Sequence, residues 1–112
     1  MKLLPSLRHK KRYIVFEVQG EQPLSIQDVQ QEVEKGLLLF LGQLGVAKAE
    51  PMLLKEKVKV EGNSVRFVLK VAHTWVDECK SAIILIKKVK NQNVVVRSII
   101  TSGTLKGIAK YL

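Results

Sequence analysis

The chain has 112 residues, enough for one domain with an apolar core and too few for two. Nineteen lysines and arginines outnumber ten acidic residues, so the net charge is +9 and the isoelectric point lies near 9.9. This excess favours a polyanionic partner, either a nucleic acid or an anionic membrane surface. The single cysteine, Cys79, excludes an internal disulfide and fits a reducing cytoplasm. No apolar run approaches the roughly 20 residues of a membrane helix, so we expect a cytoplasmic protein with no membrane among its partners.

Residues 1–11 are strongly basic, and their series of cations ends in Lys10 and Lys11. We expect an N-terminal arm here, which either meets a phosphate backbone or only aids solubility. Residues 12–112 then form the single domain, and its first strand is predicted by the alternating apolar residues from Tyr13 to Gln19.

The first helix is predicted to begin after Ser25, which has Asp28 three residues later in a capping arrangement. Apolar residues, Phe40 and Leu44 among them, recur at helical spacing to about residue 43. Gly42 and Gly45 supply the predicted stop.

Two strands joined by a turn are predicted next, from Leu53 to Val60 and from Ser64 to Ala72. Three lysines alternate along the first of them, so that face is either wet, in contact with a polyanion, or the protected edge of a sheet.

Thr74 and Asp77 then resemble a second capping box. The helix that follows is apolar around most of its circumference, which is more than a sheet needs and leaves surface for a partner protein. Cys79 lies within it, and a buried, inert thiol is expected there.

The last strand is predicted from the β-branched run Val94–Ile100, which breaks into Ser102, Gly103 and Thr104 before a short helix. Free N–H groups at such a helix start, with Lys106 beside them, suit a phosphate. A capped helix that only covers the sheet is the alternative.

The predicted order is therefore β-α-β-β-α-β followed by a short helix. Two crossovers of the usual hand predict an α+β fold of the ferredoxin-like, or RNA-recognition-motif-like, kind. In this sandwich a four-stranded antiparallel sheet carries both helices on one face, and its other face stays open.

Catalytic chemistry has little support in this sequence. Its two histidines, His9 and His73, have no nucleophile or acid in a supporting pattern, and no spacing of side chains indicates a metal site. Stacking on single-stranded bases is also poorly supported, because only Phe67 remains of the aromatic residues that the third strand of an RNA-recognition motif carries.

Four stretches together resemble protein component 2 of archaeal ribonuclease P, a family whose eukaryotic counterpart also serves the related mitochondrial-RNA-processing ribonuclease. They are Lys11–Phe16, Leu44–Ala49, Val71–Glu78 and Val96–Gly107. The match covers nearly the whole chain, and Ser102–Gly107 is its most specific piece.

The resemblance implies a non-catalytic protein subunit of an RNA enzyme that removes the 5′ leader from precursor tRNA. The chemistry would belong to the RNA and its Mg²⁺ ions, and the protein itself would hold no cofactor. Implied partners are ribonuclease P RNA, protein component 3, a second copy of the chain within the assembly, and precursor tRNA indirectly.

We predict that phosphates are neutralised by seven cationic residues, namely Lys10, Lys11, Arg12, Arg66, Lys70, Arg97 and Lys106, and by the turn of Ser102, Gly103 and Thr104. For Arg97, pairing with an acid at a solvated strand position is the alternative. A protein interface is predicted at Tyr13, Val15, Val68, Trp75 and Leu85. The rival functions are a pure protein scaffold, whose charge serves solubility, and a ribosomal-type RNA-binding protein of the same fold.

Overall fold

The computed structural model describes residues 10–112, so the predicted arm up to His9 lies outside the described residues. In chain order the elements are β1 (Lys11–Gly20), α1 (Ile26–Ala49), β2 (Met52–Leu53), β3 (Lys59–Glu61), β4 (Ser64–Ala72), a 3-10 helix (His73–Trp75), α2 (Val76–Ile84), β5 (Lys88–Val89), β6 (Gln92–Ser102) and a C-terminal 3-10 helix (Lys106–Tyr111). The predicted α+β fold is confirmed.

The sheet is antiparallel and is built around β1, which lies between β4 and β6. Six strands occur in the described chain where four were expected. The predicted strand Leu53–Val60 is divided into β2 and β3, which both pair with β4, and β5 adds a short hairpin to the start of β6.

A β-bulge in β6 interrupts its pairing with β1. Val15 lies opposite Ile100, but Phe16 lies opposite Ser98, so Ile99 is the extra residue. Beyond the bulge every residue of β6 is displaced by one position relative to β1, which changes the side chains that face one another.

The predicted start of α1 is confirmed, because the Asp28 N–H donates to Ser25 Oγ over 3.2 Å. Its predicted end is confirmed at Gly42 and wrong at Gly45. Gly42 has φ 73° and ψ 171°, which are not helical, so the regular helix breaks there, and a second helical segment carries α1 on to Ala49. A glycine tolerates this positive φ, whereas Gly45 lies inside the second segment.

The predicted capping box at Thr74 is also wrong. The 3-10 helix His73–Trp75 precedes α2, and no side chain caps either helix. Cys79 is fully buried, as expected.

The main core lies between the sheet and the two α-helices. It contains the inward residues of β1 and β4, among them Phe16 and Phe67, whose rings stack with centroids 5.4 Å apart. Residues of α1 and α2 close it from above, including Val29, Val33 and Ile83. This burial of apolar surface is the main contribution to the stability of the domain.

The C-terminal 3-10 helix lies on the opposite face of the sheet. Its Ile108 is buried against Val15 and Val68, with Tyr13 and Ile100 packed around them. The expectation that this face stays open is therefore wrong where the segment covers it. Within residues 10–112, no helix is both long enough and apolar enough to cross a bilayer.

Candidate nucleic-acid interface

The predicted protein-contact residues of the sheet divide between the covered and the accessible surface. Val15 and Val68 are fully buried beneath the C-terminal 3-10 helix, so the prediction that they form an exposed protein interface is wrong for this conformation. Tyr13 is half-buried at the rim of the same small core. The covering segment thus takes the place that a partner was expected to occupy.

The next row of side chains on this face is charged. Reading across the sheet, Lys59 of β3 lies opposite Arg66 of β4, Arg66 lies opposite Glu17 of β1, and Glu17 lies opposite Arg97 of β6. Side chains that are paired in this way share one face of a sheet. We refer to these four residues as the Glu17 row.

Glu17 is only 9% exposed, and its carboxylate has two arginine partners. Arg97 Nη2 donates to Glu17 Oε2 over 2.5 Å, and Arg66 Nη2 lies 3.7 Å from the same oxygen. A buried carboxylate requires such compensation, because removing an ion from water is costly. The row therefore combines one buried negative charge with two guanidinium groups beside it.

The two arginines differ in how firmly they are held. Arg66 also donates through Nη1 to the carbonyl oxygen of Tyr111 over 2.7 Å, which ties the C-terminal segment to the sheet. The side chain of Arg97 is 61% exposed, against 33% for Arg66. Arg97 therefore pairs with an acid, as the alternative reading had it, and still presents most of its surface to solvent.

Sequence reasoning missed Glu17 as part of this site. Alternation along β1 places Glu17 on the same strand face as Tyr13 and Val15, but the partners of Glu17 depend on the register of both neighbouring strands. On the β6 side that register depends on the bulge at Ile99, which no local pattern in the sequence indicated.

The predicted phosphate turn is present, but hydroxyl groups already occupy two of its donors. Ser102 Oγ accepts from the Thr104 N–H over 3.2 Å, and Thr104 Oγ1 accepts from the Gly107 N–H over 3.1 Å. An added Cβ on Gly107 would collide with Ser102 Oγ, so a larger residue there would displace the hydroxyl that accepts from the Thr104 N–H. These bonds are those of the capped-helix alternative.

Other predicted cations meet at this end of the sheet. An added Cβ on Gly103 would lie 3.1 Å from Arg12 Nη1, so the Arg12 guanidinium lies against the turn. Tyr13 pairs with Lys70 on one side and with Ser102 on the other, and Lys106 is exposed just beyond the turn.

The backbone of Lys10 and the side chain of Lys11 also make contacts at the start of β1. The carbonyl oxygen of Lys10 accepts from the backbone N–H of His73 over 2.8 Å, and Lys11 Nζ lies 3.6 Å from Glu50 Oε2. The seven predicted cations therefore fall into two groups: Arg66 and Arg97 in the Glu17 row, and the other five around the start of β1.

A second accessible surface lies between the two α-helices and is apolar. A groove of about 460 Å³ is lined by residues of α1, among them Leu39 and Phe40, and by Leu85 directly after α2, with Lys35, Lys87 and Lys88 also along it. We call it the helix groove. Leu39 is 86% exposed and Leu85 is 58% exposed.

This groove partly agrees with the predicted interface. Leu85 is part of it, whereas Trp75 is half-buried on the main core, with its ring 3.6 Å from an added Cβ on Gly45. The helical spacing included Phe40 and Leu44, but both are exposed, at 49% and 69%.

The titratable groups of the described chain do not form a catalytic constellation. His73 is exposed, and its Nδ1 lies 3.2 Å from the Lys10 carbonyl oxygen. Burial, with a smaller contribution from Glu78, raises the pKa of Cys79 from 9.0 to about 11, which makes its thiol a poor nucleophile. Within residues 10–112, no three His, Cys, Asp or Glu side chains cluster so as to hold a metal ion.

The model of the Rpp14/Pop5 family matches residues 12–112, which include all the cationic residues above except Lys10 and Lys11. The chain belongs to this family. The matched residues run from β1 through the C-terminal 3-10 helix.

Curated relatives agree with this assignment. The chain is 33% identical over 108 residues to "Ribonuclease P protein component 2" of Thermococcus kodakarensis, a match that covers 96% of this chain and 87% of the relative. It is 32% identical over 106 residues to the protein of the same name in Methanosarcina barkeri, covering 94% of this chain and 73% of that one.

A solved structure has the same fold. A chain in the cryo-EM structure of yeast ribonuclease MRP superposes with a TM-score of 0.64 and 15% sequence identity, covering 94% of this chain and 79% of the yeast chain. At this identity the likeness concerns the fold alone.

Proposed function

We propose that this chain is a protein subunit of ribonuclease P that supports the catalytic RNA as it removes the 5′ leader from precursor tRNA. One observation carries the proposal: Rpp14/Pop5 family membership extends over the whole described domain, and relatives matched along 94–96% of the chain are named as this component. The protein would contribute a positively charged surface of fixed shape, while the RNA and its Mg²⁺ ions perform the cleavage.

We also propose that the fold is a ferredoxin-like sandwich. The long strands β6, β1 and β4 lie side by side, β2 and β3 together take the position of the remaining strand, and both α-helices pack on one face. In this assignment β5 and the C-terminal segment are additions, and the segment covers Val15 and Val68 on the second face of the sheet.

Reconstituted cleavage tests the function directly. Precursor tRNA is incubated with ribonuclease P RNA and the other protein subunits at limiting Mg²⁺, with and without this chain. We expect the 5′ leader to be released faster when the chain is present. Its cationic side chains neutralise phosphates, so less Mg²⁺ is needed to hold the RNA in its active fold. Equal rates with and without the chain would contradict the proposal.

RNA contact is expected at both groups of cations. The double variant Arg97→Ala, Lys106→Ala should bind ribonuclease P RNA more weakly and lower the slope of log affinity against log salt by about two, one for each lost phosphate contact. The control Lys35→Ala, Lys48→Ala removes the same charge from exposed positions on α1. An equal loss of slope in both variants would mean that only net charge matters.

We further propose that the helix groove binds a protein subunit, with component 3 as the first candidate and a second copy of this chain as the other. Its support is the exposed apolar surface of Leu39, Phe40 and Leu85. Leu39→Glu should abolish co-purification with component 3, whereas Val60→Glu, at an exposed apolar site on β3, should not. A chain that binds component 3 but ignores the RNA would instead be a scaffold module.

A further inference from the structure

Within this proposed function, we propose that Glu17 is a positioning residue for RNA: it holds Arg97 and Arg66 as a preformed seat for one phosphodiester group. A carboxylate repels RNA, so charge alone would not favour Glu17 at a phosphate site. The positions of its two arginine partners do favour it.

Glu17 has more cations around it than its own charge requires. One guanidinium is enough to neutralise a buried carboxylate, but Arg97 and Arg66 both lie within 3.7 Å of Glu17 Oε2. The three charges sum to +1. Since Glu17 is almost inaccessible and Arg97 is largely exposed, the surplus positive charge faces solvent.

The two guanidinium groups have donors left for a phosphate. A guanidinium carries five N–H donors in a rigid plane, and Arg97 uses Nη2 to donate to Glu17. Its remaining donors suit two oxygens of a phosphate. Arg66 is fixed at two points, by Glu17 and by the Tyr111 carbonyl oxygen, so it adds a cation of defined position.

Holding the arginines in place before RNA arrives should strengthen phosphate binding. A free arginine on a strand surface loses side-chain entropy when it binds a phosphate, whereas a guanidinium already held by a carboxylate loses less. The bulge at Ile99 supports the same reading, because an unbulged register would place Ser98 opposite Glu17. Bulges are common where a functional side chain is redirected, and this one brings Arg97 to Glu17.

The direction in which RNA affinity changes distinguishes a positioning role of Glu17 from an effect of net charge. Glu17→Gln keeps the shape of the side chain and raises the net charge by one. If charge alone governs binding, the variant binds RNA more tightly. If Glu17 positions the arginines, the variant binds more weakly, by about three- to tenfold, because a neutral amide holds two guanidinium groups poorly.

The assay is filter binding of ribonuclease P RNA to the full chain over a series of KCl concentrations, with thermal unfolding of each variant as a check on folding. Glu61→Gln is the matched control, since Glu61 is exposed on β3, lies 3.3 Å from Lys59 and makes the same change in charge. It should bind RNA as tightly as the wild type or more tightly. Tighter binding by both glutamine variants would overturn the proposal.

Arg97→Lys decides the matter if Glu17→Gln fails to fold. It keeps the charge and loses the planar fork of donors, so we expect weaker RNA binding with an unchanged salt slope. Unchanged RNA affinity would contradict the proposal that Arg97 and Arg66 form a phosphate site. The proposed function fails separately: in that case the wild-type chain binds no RNA and has no effect on reconstituted cleavage.

Discussion

The two faces of the sheet differ in what they bury. The face beneath α1 and α2 holds the main core, including the stacked rings of Phe16 and Phe67. The other face buries a small apolar cluster of Val15, Val68 and Ile108, and then continues as the charged Glu17 row. One sheet therefore has a face committed to stability and a face divided between a small apolar cover and a polar surface.

This difference shows how a small basic domain can expose cations on a sheet without losing its fold. The helix-covered face supplies most of the apolar burial, so the second face can accept a carboxylate and two arginines. Its cover is a 3-10 helix of six residues, anchored by Ile108 and by the bond from Arg66 to the Tyr111 carbonyl oxygen. Substitutions on the two faces should therefore have different consequences.

Phe67→Ala should have the largest effect on stability. It removes a fully buried ring that stacks on Phe16, and the cavity should lower the free energy of unfolding by about 3–5 kcal/mol. Urea denaturation followed by circular dichroism measures it. Val95→Ala, at an exposed position of β6, is the control and should change it by about 0.5 kcal/mol at most. Similar losses in the free energy of unfolding for both variants would contradict the view that the helix-covered face supplies most of the stability.

Ile108→Ala should cost less, about 2 kcal/mol, although Ile108 is as deeply buried as Phe67. The reason is that a short terminal segment can detach while the rest of the domain stays folded. Hydrogen exchange should show lost protection in residues 106–112, with the amides of β1 and β4 near Phe16 and Phe67 unchanged. Exchange that rises uniformly through the sheet would show that the two cores unfold as one unit.

Arg66→Ala should lower the free energy of unfolding by about 1–2 kcal/mol, because it removes the bond to the Tyr111 carbonyl oxygen and one partner of a buried carboxylate. Arg97→Ala should cost less, since its side chain is mostly exposed. The same urea titrations compare the two variants. A larger loss for Arg97→Ala would show that Arg97, and not Arg66, is the structural member of the row.

Cys79 should give the smallest effect and reports on the helix-covered face. Burial raises the pKa of its thiol from 9.0 to about 11, so the folded state favours the neutral form. This contribution to stability is complete below pH 9 and is lost as the pH rises through about 11. Wild type should therefore lose stability over this range relative to Cys79→Ala, which has no thiol to ionise. Parallel pH profiles for the two proteins would contradict this.

The outcome at α1 shows what a local pattern can and cannot predict. Ser25 and Asp28 correctly indicated where the helix begins, because a cap is a contact between residues three apart. Its predicted stop was correct at Gly42, where φ and ψ are not helical, but a second helical segment follows and includes Gly45, and no local pattern indicated that continuation. Phe40, which lines the helix groove, and Leu44 both fit the helical spacing but are exposed.

The sequence by itself determined the α+β class, the order of the main elements, the burial of Cys79 and the resemblance to ribonuclease P component 2, because these depend on side-chain periodicity and on motifs within short stretches. Only the tertiary structure decided that Ile108 covers Val15 and Val68, and that Glu17 lies between Arg66 and Arg97. Those contacts join residues 40 to 93 positions apart. They depend on strand register, which one extra residue at Ile99 displaces, and no pattern along a single strand encodes it.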